Sequence, residues 1–547
     1  MTTLPNTLFY GDNLEVLRKH LVDESIDLIY LDPPFNSKAD YNVLFKEPTG
    51  EGSVAQIQAF SDFWHWDEAA RHSYEYLTSN EVNDKVADLA ESLFKLLGKN
   101  DLSAYLFMMA TRIIELHRVL KDEGSIFLHC DSNASHYLKL VLDAIFGPSQ
   151  FRNEITWKRI TAHSDAKRFG RVADRLLFYS KTDGYTFHKQ TAPRKKEYID
   201  SKFTHKDKDG RLFRLDNLNP PGGRGPVYTF HGIKRPWRFT EPKMLQLEKE
   251  GKIYTQSRVP QRIVYLDELE AKGGAVVHEI WDDIAPINSM AEERLGFPTQ
   301  KPVKLLERII EACCDKGDWV LDPFCGCGTA IIAAEKLERR WIGIDITYLA
   351  INLVKNRLKD SFPHCKFMVE GEPRDLGAAT ELAKDRYQFH WWALSMIPAR
   401  PVGSTMAKPQ EGKKGADEGV DGWIRFADGP EGHFEKVVVQ VKSGHVGVKD
   451  IRELRDVVNR QKAAMGVFLT LEEPTGEMMK EVKATDPYVS SRWRHEYPKI
   501  QILTVEQLLR GKRPDMPTTV SPFQEAPRVE KALRIPRQTK LPTIPKD

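Results

Sequence analysis

Residues 318–345 read DWVLDPFCGCGTAIIAAEKLERRWIGID, and this stretch decides the fold class. The short apolar runs at 318–322 and 341–345 have the composition of buried strands, and residues 329–337 between them have that of a helix. A strand, a glycine-rich turn, a helix and a second strand form one unit of a parallel α/β sheet. The stretch therefore predicts an α/β fold with a ligand-binding turn after the first strand.

The turn itself has features suited to a nucleotide-like ligand. Gly326 and Gly328 let the backbone approach a ligand closely, while Asp322 ends the strand and Phe324 offers an apolar wall. Asp345 closes the next strand, about twenty residues further on, where an acidic side chain can bind ribose hydroxyls. A glycine pair alone fits a tight structural turn equally well, so a second signal is needed.

The same α/β rhythm occurs in two separate parts of the chain. Apolar runs at 25–32 and 124–131 predict strands, and residues 102–120, 135–147 and 301–314 have helical spacing. Between these parts lies a segment rich in turns and basic residues. The pattern predicts one sheet that is split by an inserted domain.

The inserted segment carries most of the positive charge of the chain. Residues 156–262 contain 25 Lys and Arg against 11 Asp and Glu, whereas the whole chain has a net charge of only +2. Aromatic residues alternate with these cations, and this combination suits a polyanion with flat bases. A solvated basic surface around a small aromatic core is the alternative that composition leaves open.

A second short motif, YLDPPFNS at 30–37, follows the predicted strand at 25–32. An amino group on a nucleobase is a poor nucleophile because its lone pair is delocalised, so a catalyst must bind its hydrogens and orient it. Asp32 and the Pro33 carbonyl can supply two acceptors, Pro33 and Pro34 restrict the backbone that presents them, and Phe35 can stack on the base. A proline-rich turn that caps a strand is the structural alternative.

Together these motifs resemble the amino-group DNA methyltransferases. DPFCGCGTA with WIGIDI is similar to their S-adenosylmethionine motif, and LDPPF is similar to their catalytic tetrapeptide. The resemblance implies a Rossmann-like methyltransferase sheet in the permuted "beta" order, with Asp12 of LFYGDNLEVL and Thr299 and Lys301 of GFPTQKP also lining the cofactor. It further implies duplex DNA as substrate and adenine as the target, since Asp rather than Ser begins the tetrapeptide. Transfer to cytosine N4, an RNA substrate and a catalytically dead DNA-binding regulator remain the alternatives.

The recognition region and the domain bounds follow from the same resemblance. RPWRFTEPKMLQLEKEGKIY at 235–254 is similar to a pattern of adenine methylases, and the target base must be extruded from the duplex at a cost of a few kcal/mol. The expected domains are then the catalytic half (1–155), the target recognition domain (156–265), the cofactor half (266–370), a C-terminal domain (380–512) and an extended proline-rich tail (513–547).

The C-terminal domain resembles the Mrr-like branch of the PD-(D/E)XK nucleases. GADEGVDGWIRF supplies Asp421, and VVVQVKSG supplies Gln440 and Lys442, which strand alternation places on one face. The resemblance implies Mg²⁺ held by Asp421 and Gln440, with Lys442 orienting the attacking water. The family often has a glutamate on the first helix, where this chain has Gln388. A degenerate nuclease fold that only binds DNA and a simple surface hairpin are the alternatives.

Composition restricts the remaining possibilities. A chain of 547 residues implies three or four compact units, and it contains no apolar run of about eighteen residues. The sequence shows no leader segment, and the spacing of the six cysteines favours reduced thiols over a zinc site or disulfides. The expected setting is the cytoplasm of a prokaryote or phage host, with no membrane contact, and the expected partners are DNA and a second copy of the chain.

Overall fold

The computed structural model describes residues 5–34, 65–160, 169–271, 273–288, 291, 293–295, 300–401, 419–428 and 434–517. The strands in these ranges are β1 (Thr7–Tyr10), β2 (Ile26–Leu31), β3 (Leu120–Cys130), β4 (Phe151–Lys158), β5 (Ala173–Ser180), β6 (Thr191–Ala192), β7 (His205–Lys206), β8 (Leu212–Asn217), β9 (Val227–Phe230), β10 (Ile233–Pro236), β11 (Ile253–Tyr254), β12 (Gln261–Tyr265), β13 (Ala275–Val276), β14 (Ile280–Trp281), β15 (Trp319–Asp322), β16 (Arg340–Asp345), β17 (Met368–Glu370), β18 (Arg400–Pro401), β19 (Gly422–Ala427), β20 (Phe434–Lys442), β21 (Met465–Thr470), β22 (Tyr488–Val489), β23 (Glu496–Tyr497) and β24 (Ile500–Thr504). The helices are α1 (Asn13–His20), α2 (Glu68–Leu77), α3 (Asp84–Leu97), α4 (Asp101–Val119), α5 (Ser135–Phe146), α6 (Lys196–Lys202), α7 (Glu241–Lys249), α8 (Leu266–Glu270), α9 (Val303–Cys313), α10 (Thr329–Lys336), α11 (Tyr348–Ser361), α12 (Leu376–Leu382), α13 (Arg386–Ser395), α14 (Val448–Arg460), α15 (Gly476–Lys483) and α16 (Val505–Leu509).

A large mixed sheet forms the centre of the molecule. In the described ranges it has nine strands, in the order β14-β4-β5-β3-β2-β15-β16-β1-β17. The strands from β3 to β17 in this order are parallel, and β5 is antiparallel to both β3 and β4. Strands β15 and β16 come from late in the chain and lie between β2 and β1 from its beginning. This confirms the predicted α/β class and the split sheet.

Helices cover both faces of this sheet, which explains why its central strands are apolar on both sides. On one face, α1 to α5 bury residues such as Leu17, Ile113 and Leu142. On the other face, α9, α10 and α11 bury residues such as Ile309 and Ile331. Within the described ranges, every helix falls short of the length and apolar content that a bilayer span requires.

The inserted domain is built from small antiparallel sheets. Strands β7, β8, β12 and β11 form one sheet, β9 pairs with β10 as a hairpin, and β6 pairs with β13. A compact core of Leu218, Phe230, Trp237 and Met244 supports the hairpin. Strand β5, which the charge count placed in the recognition domain, has buried apolar side chains and belongs to the central sheet. The separate insert therefore begins after β5.

The C-terminal domain has its own sheet, in the order β18-β19-β20-β21-β24. Strands β20, β21 and β24 are parallel, whereas β19 is antiparallel to β20. Helices α12 and α13 are separate because Asp385 caps α13 by accepting hydrogen bonds from Tyr387 N and Gln388 N.

Helix α13 packs directly against α11, which covers one face of the central sheet. The backbone N–H of Tyr348, at the start of α11, donates to Gln388 Oε1 at 3.0 Å, and Asn352 Nδ2 donates to the Trp391 carbonyl at 3.0 Å. Tyr348 is buried in the apolar core of the C-terminal domain and stacks on Tyr10, which ends β1. The two domains therefore share a hydrophobic core.

Candidate active site at the carboxyl ends of the central sheet

Four aspartates follow four neighbouring parallel strands. Asp32 follows β2, Asp322 ends β15, Asp345 ends β16, and Asp12 follows β1 by two residues. These strands are adjacent in this same order, and parallel neighbours lie about 4.8 Å apart. The chain leaves β2 toward β3 and leaves β15 toward β16, in opposite directions along the sheet. A crevice at such a switch point is where α/β sheets bind ligands.

The tetrapeptide aspartate is paired with a lysine from the other half of the chain. Lys301 Nζ lies 2.5 Å from Asp32 Oδ2, and the two side chains are 8% and 15% exposed. The ammonium group of Lys301 contacts the predicted catalytic carboxylate, and its predicted contact with the cofactor stays a prediction. Pro33 is buried and Pro34 is half-buried, whereas Phe35 and Thr299 lie outside the described residues.

Lys301 is tied to the glycine-rich loop as well as to Asp32. Thr329, the first residue of α10, donates its hydroxyl to the Lys301 carbonyl at 3.3 Å. Pro302 follows Lys301 and caps α9, which places the lysine in the turn before that helix. The lysine, the loop and Asp32 therefore form one connected unit.

The loop between β15 and α10 needs both of its glycines. Gly326 and Gly328 have φ of 47° and 75°, in the left-handed region. A Cβ on Gly328 would lie 2.6 Å from Val354 Cγ2, so this position also requires the absence of a side chain. Gly326 N donates to Asp345 Oδ2 at 2.9 Å, which fixes the loop against the end of β16.

Asp345 is held in place at the end of β16 by the residues that follow it and by the glycine-rich loop. Its Oδ1 accepts from Thr347 N and Thr347 Oγ1, both at 2.9 Å, and its Oδ2 accepts from Gly326 N. The backbone N–H of Ile346 also interacts with the carboxylate. Ile346, the next residue, exposes 55% of its surface and provides an apolar face beside the carboxylate. A carboxylate beside an apolar face suits the ribose and the base of a nucleoside cofactor.

Asp322 lies between these groups and is buried. Burial raises its pKa well above the ordinary value, and the nearby charges of Asp32 and Asp345 raise it further. Burial likewise raises the pKa of Asp345. Phe324 N donates to Asp322 Oδ1 at 3.1 Å, which holds the start of the loop against the strand end. Phe324 itself packs against the apolar core on the α4 side of the sheet.

Asp12 has a structural role in the described conformation. Its Oδ1 caps α1 by accepting from Leu14 N and Glu15 N, and its Oδ2 lies 2.6 Å from Arg112 Nη2. Arg112 is buried in α4 and also donates to Asn13 Oδ1 at 2.5 Å. Sequence reasoning missed Arg112, although an arginine inside the apolar run at 102–120 was a visible signal.

Asn13 links this group to the glycine-rich loop. Its Nδ2 donates to the Pro323 carbonyl at 2.8 Å, and both atoms are buried. The amino end of α1 and the loop after β15 are therefore held together, which brings Asp12 to the same crevice. Its predicted contact with the adenosine end of a cofactor stays a prediction.

A buried polar chain supports β2 next to Asp32, and sequence reasoning missed it too. Tyr30 Oη lies 2.9 Å from His129 Nδ1, and His129 Nε2 lies 3.2 Å from Asp174 Oδ2. Burial and the charge of Asp32 raise the pKa of Tyr30. Burial alone would raise the pKa of Asp174, but the hydrogen bond from His129 and the charge of Arg159 bring it below its ordinary value. The three strands β2, β3 and β5 are thereby connected beneath the crevice.

The cations of the insert fall into two groups. Some belong to internal ion pairs: Arg194–Glu270, Arg211–Asp267 and Lys252–Glu268. Others are exposed and belong to no ion pair among the described residues; they include Arg224, Lys234 and Arg258 as well as Lys196, Lys202, Lys206 and Lys208. Arg224, Lys234 and Arg258 come from the segments that form the small module around Trp237, which offers one basic surface to a polyanion.

In the C-terminal domain the predicted nuclease residues are close together but differently engaged. Asp421 Oδ2 accepts from Val441 N at 2.7 Å, and its Oδ1 lies 3.3 Å from His390 Nδ1. Gln440 Nε2 donates to the Gly419 carbonyl at 2.6 Å, and Lys442 Nζ lies 3.8 Å from Asp450. Gln388 points away toward Tyr348. The part of the chain that the structure describes contains no cluster of three or more metal-ligating acids, histidines or cysteines.

Residues 26–356 match the family model for N6/N4 DNA methylases, described as DNA methylase. The match covers more than half of the chain, so the protein belongs to this family. Residues 407–510 match a second model, described as NACHT-associated inactive Restriction Endonuclease 1. The first match includes the strands that carry Asp32, Asp322 and Asp345, and the second covers most of the C-terminal sheet.

Named relatives align over more than half of the chain. The Type II methyltransferase M.EcaI of Enterobacter cloacae is 28% identical over 363 residues, covering 65% of this chain and 69% of that protein. The Type III restriction-modification enzyme StyLTI Mod subunit of Salmonella typhimurium is 29% identical over 356 residues, covering 61% of this chain and 50% of that protein. The solved structure of the cytosine-N4-specific PvuII DNA methyltransferase is 12% identical, with a TM-score of 0.33, and covers 67% of this chain and 96% of that one. At that identity and TM-score, the structural likeness adds nothing to the family assignment.

Proposed function

We propose that this DNA methylase transfers a methyl group from S-adenosylmethionine to the exocyclic amino group of adenine in duplex DNA. The observation that carries the proposal is the adjacency of β2 and β15, which brings Asp32 beside the glycine-rich loop and Asp345. Asp345, Gly326 and Phe324 would hold the cofactor, with Asp12 near its adenosine end. S-adenosylmethionine supplies the electrophilic methyl group when it is bound.

The chain's own residues bind and orient the base. Lys301 occupies Asp32 Oδ2 and leaves Oδ1 for an amino hydrogen of the target, while the Pro33 carbonyl accepts the second hydrogen. The amino lone pair is then directed at the methyl donor, and the carboxylate is the nearest acceptor for the proton that the nitrogen loses. This is catalysis by positioning and preorganised electrostatics, without a covalent enzyme intermediate.

The insert would hold the duplex from which the target base is extruded. Extrusion costs a few kcal/mol, which contacts elsewhere must offset. The unpaired cations Arg224, Lys234 and Arg258 suit phosphates and guanine edges. Relatives that include a Type II methyltransferase and a Type III Mod subunit support a role in restriction-modification.

Sequencing of DNA from cells that express the protein tests the proposal directly. We expect N6-methyladenine in one fixed sequence context, absent from cells that carry an empty vector. N4-methylcytosine would replace the adenine assignment, and unmodified DNA from a well-expressed protein would favour a DNA-binding regulator. Competition between duplex DNA and RNA for labelled methyl groups separates the two substrate classes.

For the C-terminal domain we propose a nuclease-like fold that does not cleave DNA. Support comes from Gln388, which stands where the nuclease family often has a glutamate and accepts the Tyr348 N–H, and from the match to the inactive restriction-endonuclease model. The competing prediction is a Mg²⁺-dependent nuclease with Asp421 and Gln440 as ligands and Lys442 at the water. Unmethylated plasmid incubated with the protein and Mg²⁺ should stay supercoiled; breaks that disappear in Asp421→Ala would establish the nuclease instead.

The predicted homodimer is a separate proposal. Sedimentation equilibrium over a wide range of protein concentration tests it, with and without duplex DNA. A monomer mass throughout would refute it.

A further inference from the structure

A buried acid at the far edge of the C-terminal sheet holds an exposed aromatic loop. Strand β19 lies between Asp421 and Asp428, and its six residues span about 20 Å. Asp428 is 2% exposed, and the residues around it are remote from the predicted nuclease residues. Any ligand bound at this edge would therefore be independent of Asp421, Gln440 and Lys442.

Asp428 accepts hydrogen bonds from Tyr488 of β22 and from three consecutive residues that follow this strand. The donors are Tyr488 Oη at 2.5 Å, Ser490 Oγ at 3.0 Å, Ser491 N at 3.1 Å and Oγ at 3.2 Å, and Arg492 N at 2.7 Å. Burial alone would raise the pKa of Asp428, but these hydrogen bonds lower it to about 2. The carboxylate is thus ionised and fully engaged in fixing the loop.

The residues 490–495, here called the Trp493 loop, are also closed on themselves. Ser490 N donates to the His495 carbonyl, and Arg494 N donates to the Ser490 carbonyl, both at 3.0 Å. Arg494 adopts a φ of 49°, which the closed turn imposes. The outcome is a rigid loop whose indole, Trp493, remains 54% exposed, with the Arg492 guanidinium 5.4 Å from the ring centre.

Positive charge surrounds this indole. Arg492 and Arg494 are exposed and have no acidic partner among the residues that the structure describes. Tyr488 and Val489, immediately before the loop, line a cleft of about 400 Å³ that also contains Lys462 and Lys499. The loop and the cleft together contain four cations, against Glu435 in the cleft, Glu496 on β23 and the buried Asp428.

We propose that the Trp493 loop and the adjoining cleft bind single-stranded DNA, with a base stacked on Trp493 and phosphates on the surrounding cations. An exposed indole offers a stacking surface to any unpaired base, whereas bases inside a duplex are already stacked. Arginines beside an aromatic ring add electrostatic attraction to the phosphates and a cation–π contribution. This binding is distinct from the recognition of the duplex by the insert.

The test uses the full-length protein and a fluorescein-labelled twelve-residue oligothymidylate. We expect Trp493→Ala to weaken binding about tenfold, as for the loss of one stacked base, and Trp493→Phe to keep most of the affinity. Arg492→Ala with Arg494→Ala should reduce the salt dependence of binding. Arg510→Ala, an exposed arginine paired with Glu506 in the same domain, serves as the matched control and should have no effect.

The basic insert also attracts oligonucleotides, so the contact must be located. Photocrosslinking with 5-iodouracil should map to the peptide that contains Trp493. Equal affinity of Trp493→Ala and the parent protein, crosslinks confined to 169–271, or equally effective competition by duplex DNA would each overturn the proposal. If Trp493→Ala instead converts a dimer into a monomer and leaves oligonucleotide binding unchanged, the surface is a protein interface and the proposal fails.

Discussion

The central sheet and the C-terminal sheet both present motif aspartates at strand ends, yet their surroundings differ. In the central sheet, four aspartates converge on one crevice, and Lys301 from a distant part of the chain pairs with Asp32. In the C-terminal sheet, Asp421 is engaged by Val441 N and His390, and Gln388 faces the other domain. The motif acids of the two regions thus have different partners, because Asp32 is paired with a lysine near three further aspartates whereas Asp421 contacts a backbone N–H and a histidine.

The largest effect is expected from removing the tetrapeptide acid. Asp32→Ala should lower methyl transfer by about a thousandfold, because it removes the acceptor that orients the target amino group. Incorporation of labelled methyl groups measures the activity, and calorimetry should show nearly unchanged cofactor binding. Asp421→Ala is the matched substitution in the other sheet and should leave methylation intact. Comparable losses in both variants would abolish the distinction between the two regions.

The next effect separates two roles for Lys301. Lys301→Met removes a buried partner of Asp32, and breaking such a pair costs about 3–5 kcal/mol when the remaining charge stays buried. We expect a loss in kcat of about a hundredfold or more with little change in cofactor affinity. Lys304→Met, at an exposed position three residues further along, is the control. A variant with weak cofactor binding and normal kcat would indicate that Lys301 binds the cofactor, as its motif predicts.

A smaller effect is expected at the junction of the two domains. Gln388→Ala removes the acceptor of the Tyr348 N–H, and leaving a buried donor unpaired costs about 1–3 kcal/mol. The variant should unfold at a lower temperature and bind the cofactor more weakly, since Tyr348 lies three residues after Asp345. Gln388→Glu restores the acid of the nuclease pattern, but its side chain faces α11, so we expect no cleavage in Mg²⁺. Plasmid breaks in that variant would show that the nuclease site lacks only this glutamate for cleavage.

The smallest effect concerns pH. A pKa of about 2 for Asp428, below the unfolded value of about 3.9, means that its contribution to stability is fully present above about pH 4 and is lost as the pH falls toward 2. Asp322 and Asp345 have raised pKa values, so their contribution has the opposite sign and declines as the pH rises above about 4. Thermal unfolding of Asp428→Asn and the parent protein between pH 2.5 and 7 should show a weaker acid dependence in the variant. Identical pH profiles would mean that Asp428 does not titrate in this way.

Much of the fold was predictable because the informative residues act locally. The strands at 25–32, 124–131, 318–322 and 341–345 end within a few residues of β2, β3, β15 and β16. Their apolar runs and flanking turns depend on the adjacent sequence alone. The order of the two motifs along the chain also indicated that late strands enter a sheet begun by early ones.

The rest depends on contacts between distant residues. Sequence reasoning missed that β5 belongs to the central sheet, because the excess of basic residues around it assigned its segment to the insert. The pairing of Lys301 with Asp32, the Tyr30–His129 contact and the orientation of Gln388 are set by tertiary packing, which spacing along one strand or helix does not specify. Arg112 is the exception, since a cation within an apolar helix already predicts a buried partner.

The order of strands in the central sheet also constrains how the protein is made. Strand β15 pairs with β2 on one side and β16 on the other, and about 290 residues separate β2 from β15. During synthesis, β2 must wait with an open edge until the ribosome has released more than half of the polypeptide. At about 5–20 residues per second this delay lasts some tens of seconds, during which the unpaired edge is open to misassociation. We therefore expect chaperones to raise the yield of folded protein, because the two halves of the crevice lie so far apart in the sequence.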